Sequence, residues 1–178
     1  MKIYFVRHGE TNYNVANLCN DDSSKEVHLT VRGREQSEFL AEKLKNETIG
    51  GIIISELSRT RETAEIINKY HNVPILVDSR INDRKTGFES KSASAFFAAV
   101  ESAPDKWSVK FNEGESFLEE KERVFSFLDD LPRRGYETML IITHSEIMKI
   151  VYGYFHKLSN EEMWEIKIDN AQILEFTI

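Results

Sequence analysis

Four short apolar runs punctuate the chain: IYFV at 3–6, GIIIS at 51–55, VPILV at 73–77 and MLIIT at 139–143. Each is continuous rather than alternating, which predicts strands buried on both faces, as in a parallel sheet covered by helices. Helical periodicity fills the intervals. Residues 31–45 set Phe39, Leu40 and Leu44 among charged neighbours, and residues 59–70 set Ala64, Ile67 and Tyr70 at helical spacing. A longer amphipathic helix is predicted over 115–131, with Phe117, Val124, Leu128 and Leu131 on one stripe and Leu118 and Phe125 beside it. SNEE at 159–162 reads as a capping box opening a short helix, and QILEFTI at 172–178 as an edge strand. With no repeat or low-complexity linker, the alternation predicts an α/β fold: a three-layer sandwich with a mostly parallel central sheet and helices on both faces. At 178 residues a single domain over 1–178 is expected.

Composition narrows what such a domain does. A net charge of −7 argues against a broad nucleic-acid surface, so no nucleic-acid partner is expected and any phosphate chemistry has to use local positive charge. Cys19 is the single cysteine, which excludes an internal disulfide, and its neighbours lack the spacing of a zinc site; no metal or other cofactor is expected. No apolar run approaches membrane-spanning length, and charge arrives at Arg7 before a signal-peptide core could form. The chain is therefore read as starting at Met1, cytoplasmic and without a membrane partner. Nothing in the pattern assigns an oligomeric state.

The residues that follow the strands carry the chemistry. Arg7 and His8 come directly after the first strand, Arg59 four residues after the second, and His144 directly after MLIIT. In open α/β sheets, ligands bind beyond the carboxyl ends of the strands. Two arginines can fork onto phosphoryl oxygens, and two histidines can offer a nucleophile and a further donor, which in-line phosphoryl transfer to nitrogen requires. Gly9 is expected to let the chain turn where a side chain would obstruct the phosphate. Taken singly, each residue has a bland reading: a salt-bridged strand end for Arg7, a hydrogen-bonded structural residue for His144, pairing with Glu56 or Glu62 for Arg59. Three strand ends delivering phosphate-competent groups together favour the functional one.

The motifs RHGET at 7–11 followed by Asn14, LTVRGREQ at 29–36, SELSRTRETA at 55–64, RINDRKTG at 80–87, GES at 114–116 with Arg123 beyond it, and ITHS at 142–145 occur in this order. Over nearly its whole length the chain resembles the histidine phosphatase superfamily, the phosphoglycerate mutase-like proteins. The resemblance implies that His8 becomes phosphorylated while Arg7, Arg59 and His144 hold the phosphoryl oxygens, that Asn14 helps line the pocket, and that no metal is required. It implies a small-molecule phosphate ester as substrate. Thr11, Gly9, Glu10 and Arg84, within or beside these motifs, join the candidate phosphate or substrate contacts, with Glu10 expected to orient the basic cluster and balance its arginines.

The sequence departs from that family at two places. Asp83 stands where similar members carry Glu; it is expected to protonate the leaving alkoxide and then deprotonate the attacking water, with Glu89 as the alternative acid and pairing to Arg80 or Arg84 as the structural reading. Ser145 stands where Gly is usual, either contacting substrate or, the reading favoured here, capping the helix that follows. His8 has to be neutral to attack, with its other ring nitrogen donating to an acceptor such as the Gly9 carbonyl, whereas His144 is expected to be protonated. Segment 84–113, with Lys85, Lys91, Lys110, Phe88, Phe96, Phe97 and Trp107, is a candidate substrate cap, or its SASAFFAAV stretch is a helix whose phenylalanines join the core. Three activities fit: a phosphomonoesterase, a phosphoglycerate-type mutase with a closed pocket, or a phosphate-binding regulatory module.

Overall fold

A computed structural model describes all residues from Met1 to Ile178. Five strands, β1 (Lys2–Arg7), β2 (Gly51–Ile54), β3 (Ile75–Val77), β4 (Thr138–Thr143) and β5 (Ile173–Thr177), form one sheet in the order β3-β2-β4-β1-β5. All neighbouring pairs are parallel except β1 with β5. Seven helices accompany them: α1 (Asn12–Ala16), α2 (Val31–Leu44), α3 (Ser58–Asn68), α4 (Ala93–Glu101), α5 (Phe117–Asp130), α6 (Ser145–His156) and α7 (Asn160–Glu165). No helix is long and apolar enough to cross a membrane.

The continuous apolar runs serve two cores at once. Ile3 and Phe5 of β1, Ile53 of β2 and Met139 and Ile141 of β4 pack with Phe117, Val124 and Leu128 of α5 and Ile147, Ile150 and Val151 of α6. The alternate residues Tyr4, Val6, Ile52, Ile54, Leu140 and Ile142 pack on the other face with Leu40, Ala41 and Leu44 of α2 and Ala64 and Ile67 of α3. A strand with both faces covered has no polar positions to alternate with, which is why the pattern was continuous. Leu131 closes the α5 stripe as expected and is fully buried. Ser159 and Glu162 form the expected capping box at the start of α7.

Three details differ from the sequence pattern. The run at 73–77 is reduced to Ile75–Val77 at the sheet edge, with Leu76 and Val77 exposed, in keeping with Pro74, which cannot donate within a ladder. Phe39 is 69% exposed, because the inward face of α2 is built instead on Gly33, Ser37, Leu40, Ala41 and Leu44. Tyr70 lies beyond the end of α3 and is exposed.

Small residues on α2 allow the loop after β1 to press against it. A Cβ on Gly9 would stand 2.3 Å from the Gly33 carbonyl oxygen, and one on Gly33 would stand 2.0 Å from that of Glu10. Gly9 therefore serves a backbone crossing with α2; the reason for glycine here is this contact, not clearance for a phosphate. Gly33→Ala is expected to destabilise by about 3 kcal/mol, the upper range for overpacking, read as a lower denaturation midpoint in urea. An unchanged midpoint would mean that the loop yields freely.

Within 84–113, Phe96 is buried with Cys19 and Val100, and Phe88, Val109 and Phe111 pack around them. Phe97 stays 38% exposed against Phe96 and Trp164. Trp107 packs on Phe117 and Trp164, and Lys110 pairs with Glu119. The helical alternative thus describes Phe96, while Phe97 stands at the rim of the cavity described next.

Candidate active site

Beyond the carboxyl edge of the sheet lies a cavity of about 170 Å³, whose lining includes Arg7, His8, Asn14, Arg59, Asp83 and Ser145. The backbone after β1 is fixed from two sides: His8 N–H donates to Thr143 O at 3.1 Å, and Ala171 N–H to Arg7 O at the same distance. Asn170 Nδ2 donates to His8 O and to Asn14 Oδ1, each at 3.2 Å. Asn14 Oδ1 also accepts from Thr11 N–H, so its own amide N–H groups are what it can offer the cavity. Thr11 caps α1, its hydroxyl accepting from Asn14 N–H at 3.1 Å, which leaves its own hydrogen to donate at the cavity it lines.

The two imidazoles are held as opposite tautomers. His8 Nδ1 lies 2.7 Å from Gly9 O, and because a carbonyl only accepts, Nδ1 carries the proton and Nε2 the lone pair. His144 Nε2 lies 2.9 Å from Ser55 Oγ, which also contacts Thr60 Oγ1 at 2.9 Å. Thr60 spends its hydrogen on the Leu57 carbonyl at 2.8 Å, so Ser55 donates to Thr60 and accepts from His144. His144 therefore keeps its lone pair on Nδ1. The rings meet edge to face with centroids 5.2 Å apart.

Arg59 joins the two lone pairs. Its Nε–H is shared between His8 Nε2 at 3.1 Å and His144 Nδ1 at 3.3 Å. Nη1 donates to Asn20 Oδ1 at 2.6 Å, and Nη2 to Asn20 O at 3.0 Å and to Asp83 Oδ2 at 2.9 Å. Four of its five hydrogens are thus engaged by the protein, and one Nη1 hydrogen is uncommitted. A cation in the first turn of α3, whose cap Leu57 supplies no side-chain bond, opposes the helix dipole, a local cost that folding alone would not select. Glu62 pairs with His28 and Arg34, and Glu56 with Asn82, so neither takes Arg59.

Burial, then the charge of Arg59, pushes both His8 and His144 well below the ordinary histidine range. Both are neutral in the free site, which corrects the expectation of a protonated His144: a guanidinium in contact with it disfavours a second positive charge. Arg7 donates through Nη1 to Ile168 O at 2.7 Å, while its Nε is buried without a partner, a donor that an anion in the cavity could satisfy.

Of the carboxylates, Asp83 belongs to the cluster, with Oδ2 3.6 Å from His144 Nδ1. Arg123 holds its loop by donating to Arg80 O at 2.8 Å and to Asp83 O at 3.4 Å. Glu89 is tied to the backbone of Asp21 and Asp22 at 2.7 and 3.1 Å and does not line the cavity, which removes it as the acid. Glu10 turns to Thr30 Oγ1 at 2.8 Å and lies 3.8 Å from Arg32, so it does not balance Arg7 and Arg59. Arg84 is buried between Glu120 and Glu146. Ser145 is the first residue of α6 and lines the cavity; the cap position falls on His144, so the capping expectation fails.

Ser55, Asn20, Thr63 and Asn170 were not singled out in the sequence, yet Ser55 sets the tautomer of His144, Thr63 Oγ1 accepts from Gly9 N–H at 3.2 Å, and the others hold Arg59 and His8. Ser55 follows β2 directly, so the strand-end rule could have found it; Asn170 lies in a polar loop with no such signal. Ser55→Ala is expected to lower kcat about 10- to 100-fold by freeing the imidazole, with KM moving much less. Equal changes in both parameters would assign Ser55 to binding instead.

Three strand ends meeting at one cavity give the sheet the layout of an α/β enzyme with its ligand site at the carboxyl edge. The chain belongs to the histidine phosphatase superfamily, branch 1, whose family profile matches residues 3–178. It is 27% identical over 180 residues to phosphoserine phosphatase 1 of Hydrogenobacter thermophilus, covering 96% of this chain and 83% of that protein. It is 34% identical over 115 residues to the probable phosphoglycerate mutase GpmB of Photorhabdus laumondii, an alignment that takes in 64% of this chain and 51% of that protein. It shares the fold of the alpha-ribazole phosphatase from Shigella flexneri, with a TM-score of 0.85, 23% identity, and coverage of 100% of this chain and 91% of that one.

Proposed function

We propose that the protein is a cytoplasmic, metal-independent phosphomonoesterase that acts on a small phosphorylated metabolite through a phosphohistidine on His8. The observation that carries this reading is the fixed tautomer of His8: Nδ1–H is spent on Gly9 O, and the lone pair of Nε2 stands beside Arg59. In the first step Nε2 attacks phosphorus, the bond to the ester oxygen breaks, and Asp83 supplies the proton to the departing alkoxide. As the lone pair of His8 turns to phosphorus, Arg59 Nε keeps its proton and bonds to His144 Nδ1 alone. Arg7 and Arg59 balance the charge on the phosphoryl oxygens. In the second step water attacks the phosphohistidine, Asp83 takes its proton, the N–P bond breaks, and neutral His8 is restored.

Hydrolysis is favoured over transfer to a second hydroxyl by the place of Asp83. It belongs at once to the cavity and to a broad groove with no hydrophobic lining residue, and its side chain is 30% exposed, so water can reach the residue that activates it. The two guanidinium groups support metal independence by repelling a divalent ion from the imidazoles. The cytoplasmic placement rests on the lone cysteine. Release of inorganic phosphate from a panel of monoesters in excess chelator tests the proposal. Turnover is expected; no turnover of any ester, or loss of turnover with chelation, would overturn it.

The depressed titration of His8 also fixes a pH response. The neutral form attacks, so a pKa held well below 6.5 preserves activity into mild acid. After allowance for the second ionisation of the substrate phosphate, kcat/KM is expected to show no acid limb at pH 6.5. A limb centred there would mean that His8 is solvated and titrates normally.

A further inference from the structure

Two residues past His144, Glu146 lies in the first turn of α6 and lines the same cavity as Arg7, His8 and Arg59. Its side chain is only 9% exposed, yet the carboxylate is half satisfied: Oε1 accepts from Arg84 Nη2 at 3.2 Å, and Oε2 accepts no hydrogen bond. Arg84 is not its own counter-charge. The same guanidinium donates through Nε to Glu120 Oε2 at 2.8 Å, and Glu120 is fully buried with Oε1 unpartnered. Lys149, one turn further along α6, donates to Trp164 O at 3.0 Å instead. Arg84 is thus contacted by two carboxylates, Glu120 also lying 3.9 Å from Arg123 Nη2, and Asp83 adds a third negative group to the cavity wall.

We propose that Glu146 recognises the organic part of the substrate, and that the preferred ester is the phosphate of an amino alcohol whose ammonium group donates to Glu146 Oε2. The inference rests on the reading of His8 as phosphoryl acceptor in this cavity. Glu146 and His8 line the same cavity of about 170 Å³, which limits the ester group to a few atoms. An ammonium group fits better than a hydroxyl because it gives a charge-assisted hydrogen bond to the carboxylate oxygen that Arg84 does not reach. Burial pushes the Glu146 carboxyl up against the pull of Arg84, so a cation arriving at Oε2 restores the ionised form. Ester groups ending in a carboxylate are disfavoured beside Asp83 and Glu146.

The test compares O-phosphoethanolamine, n-propyl phosphate, which puts methyl where the ammonium stands, and 2-hydroxyethyl phosphate. The parent is expected to favour O-phosphoethanolamine over n-propyl phosphate in kcat/KM by at least about tenfold, the worth of one charge-assisted hydrogen bond, with 2-hydroxyethyl phosphate between them. Glu146→Gln should collapse the preference to less than about threefold, since the amide keeps the shape and loses the charge. A flat ratio in the parent, a preference that survives Glu146→Gln, or parity of the hydroxyl and amino esters overturns the inference; the parent ratios decide the matter even if the variant fails to fold. Hydrolysis of p-nitrophenyl phosphate with a flat ratio removes this inference and leaves the phosphatase reading intact. If no ester turns over, the phosphatase reading fails, and dissociation constants of the same three esters, judged by the same ratios, decide amine recognition.

Discussion

Replacing His8 by alanine is expected to lower phosphate release from every monoester by about 10⁴-fold or more, leaving at most the rate that the arginines and bound water sustain without a nucleophile. The size of the effect follows from the architecture: His8 lines the cavity, whereas His144, fully buried, does not and has its Nε2 fixed on Ser55, so no second imidazole is placed to attack. The parent, quenched in alkali during turnover, should carry phosphate on the protein that acid releases, as a phosphoramidate does, and the variant should carry none. A variant that retains label would place the phosphoryl acceptor elsewhere. The imidazole is buried, so its removal opens a hole; a melting curve with and without vanadate separates a lost nucleophile from a lost fold.

Asp83→Asn should give the second largest effect and a more diagnostic one. With alkyl phosphates, turnover is expected to fall by about 10²- to 10⁴-fold, the range for a positioned acid and base. With p-nitrophenyl phosphate the leaving group needs no proton, so the first step survives while the second still lacks its base. A burst of one p-nitrophenolate per site followed by slow release of phosphate is the expected trace. The amide can still accept from Arg59 through Oδ1, which keeps the guanidinium in place and isolates the proton-transfer role. Equal loss on both substrates with no burst would reduce Asp83 to a positioning residue for Arg59.

How much of this was legible beforehand depends on what kind of signal each residue carried. Strands buried on both faces announce themselves by uninterrupted apolar runs, so β1, β2 and β4 and the groups at their ends, Arg7, His8 and His144, could be read directly. The edge strand β3 misled because its composition matches a buried strand while its position in the sheet does not; Pro74 was the warning. Hydrophobicity alone also misplaced Phe39, since the face of α2 that meets the loop after β1 requires residues without bulk. The charge state of His144 was misread because charge counting along the sequence carries no burial: removing an imidazole from water and setting it against a guanidinium outweighs the general attraction of a phosphate site for cations. Glu10 and Glu89 were credited with site roles for their proximity in sequence, whereas local backbone and hydroxyl donors claim their carboxylates. Glu146 illustrates the converse, a residue with no sequence signal that becomes notable only when its unpaired oxygen is found on a cavity wall.

The choice of nitrogen over sulfur as the attacking atom has an environmental meaning. A thiolate nucleophile is an oxidation target because the deprotonated form that attacks phosphorus also attacks peroxide. In the mechanism proposed above the attacking atom is an imidazole nitrogen, and the one sulfur in the cavity wall, Cys19, is packed against Phe96 and Val100 with burial pushing its thiol up to about 11. At neutral pH roughly one Cys19 in 10⁴ is ionised, too few for sulfenic acid to form at a useful rate. A site of this kind is thereby little exposed to oxidation through its own cavity wall.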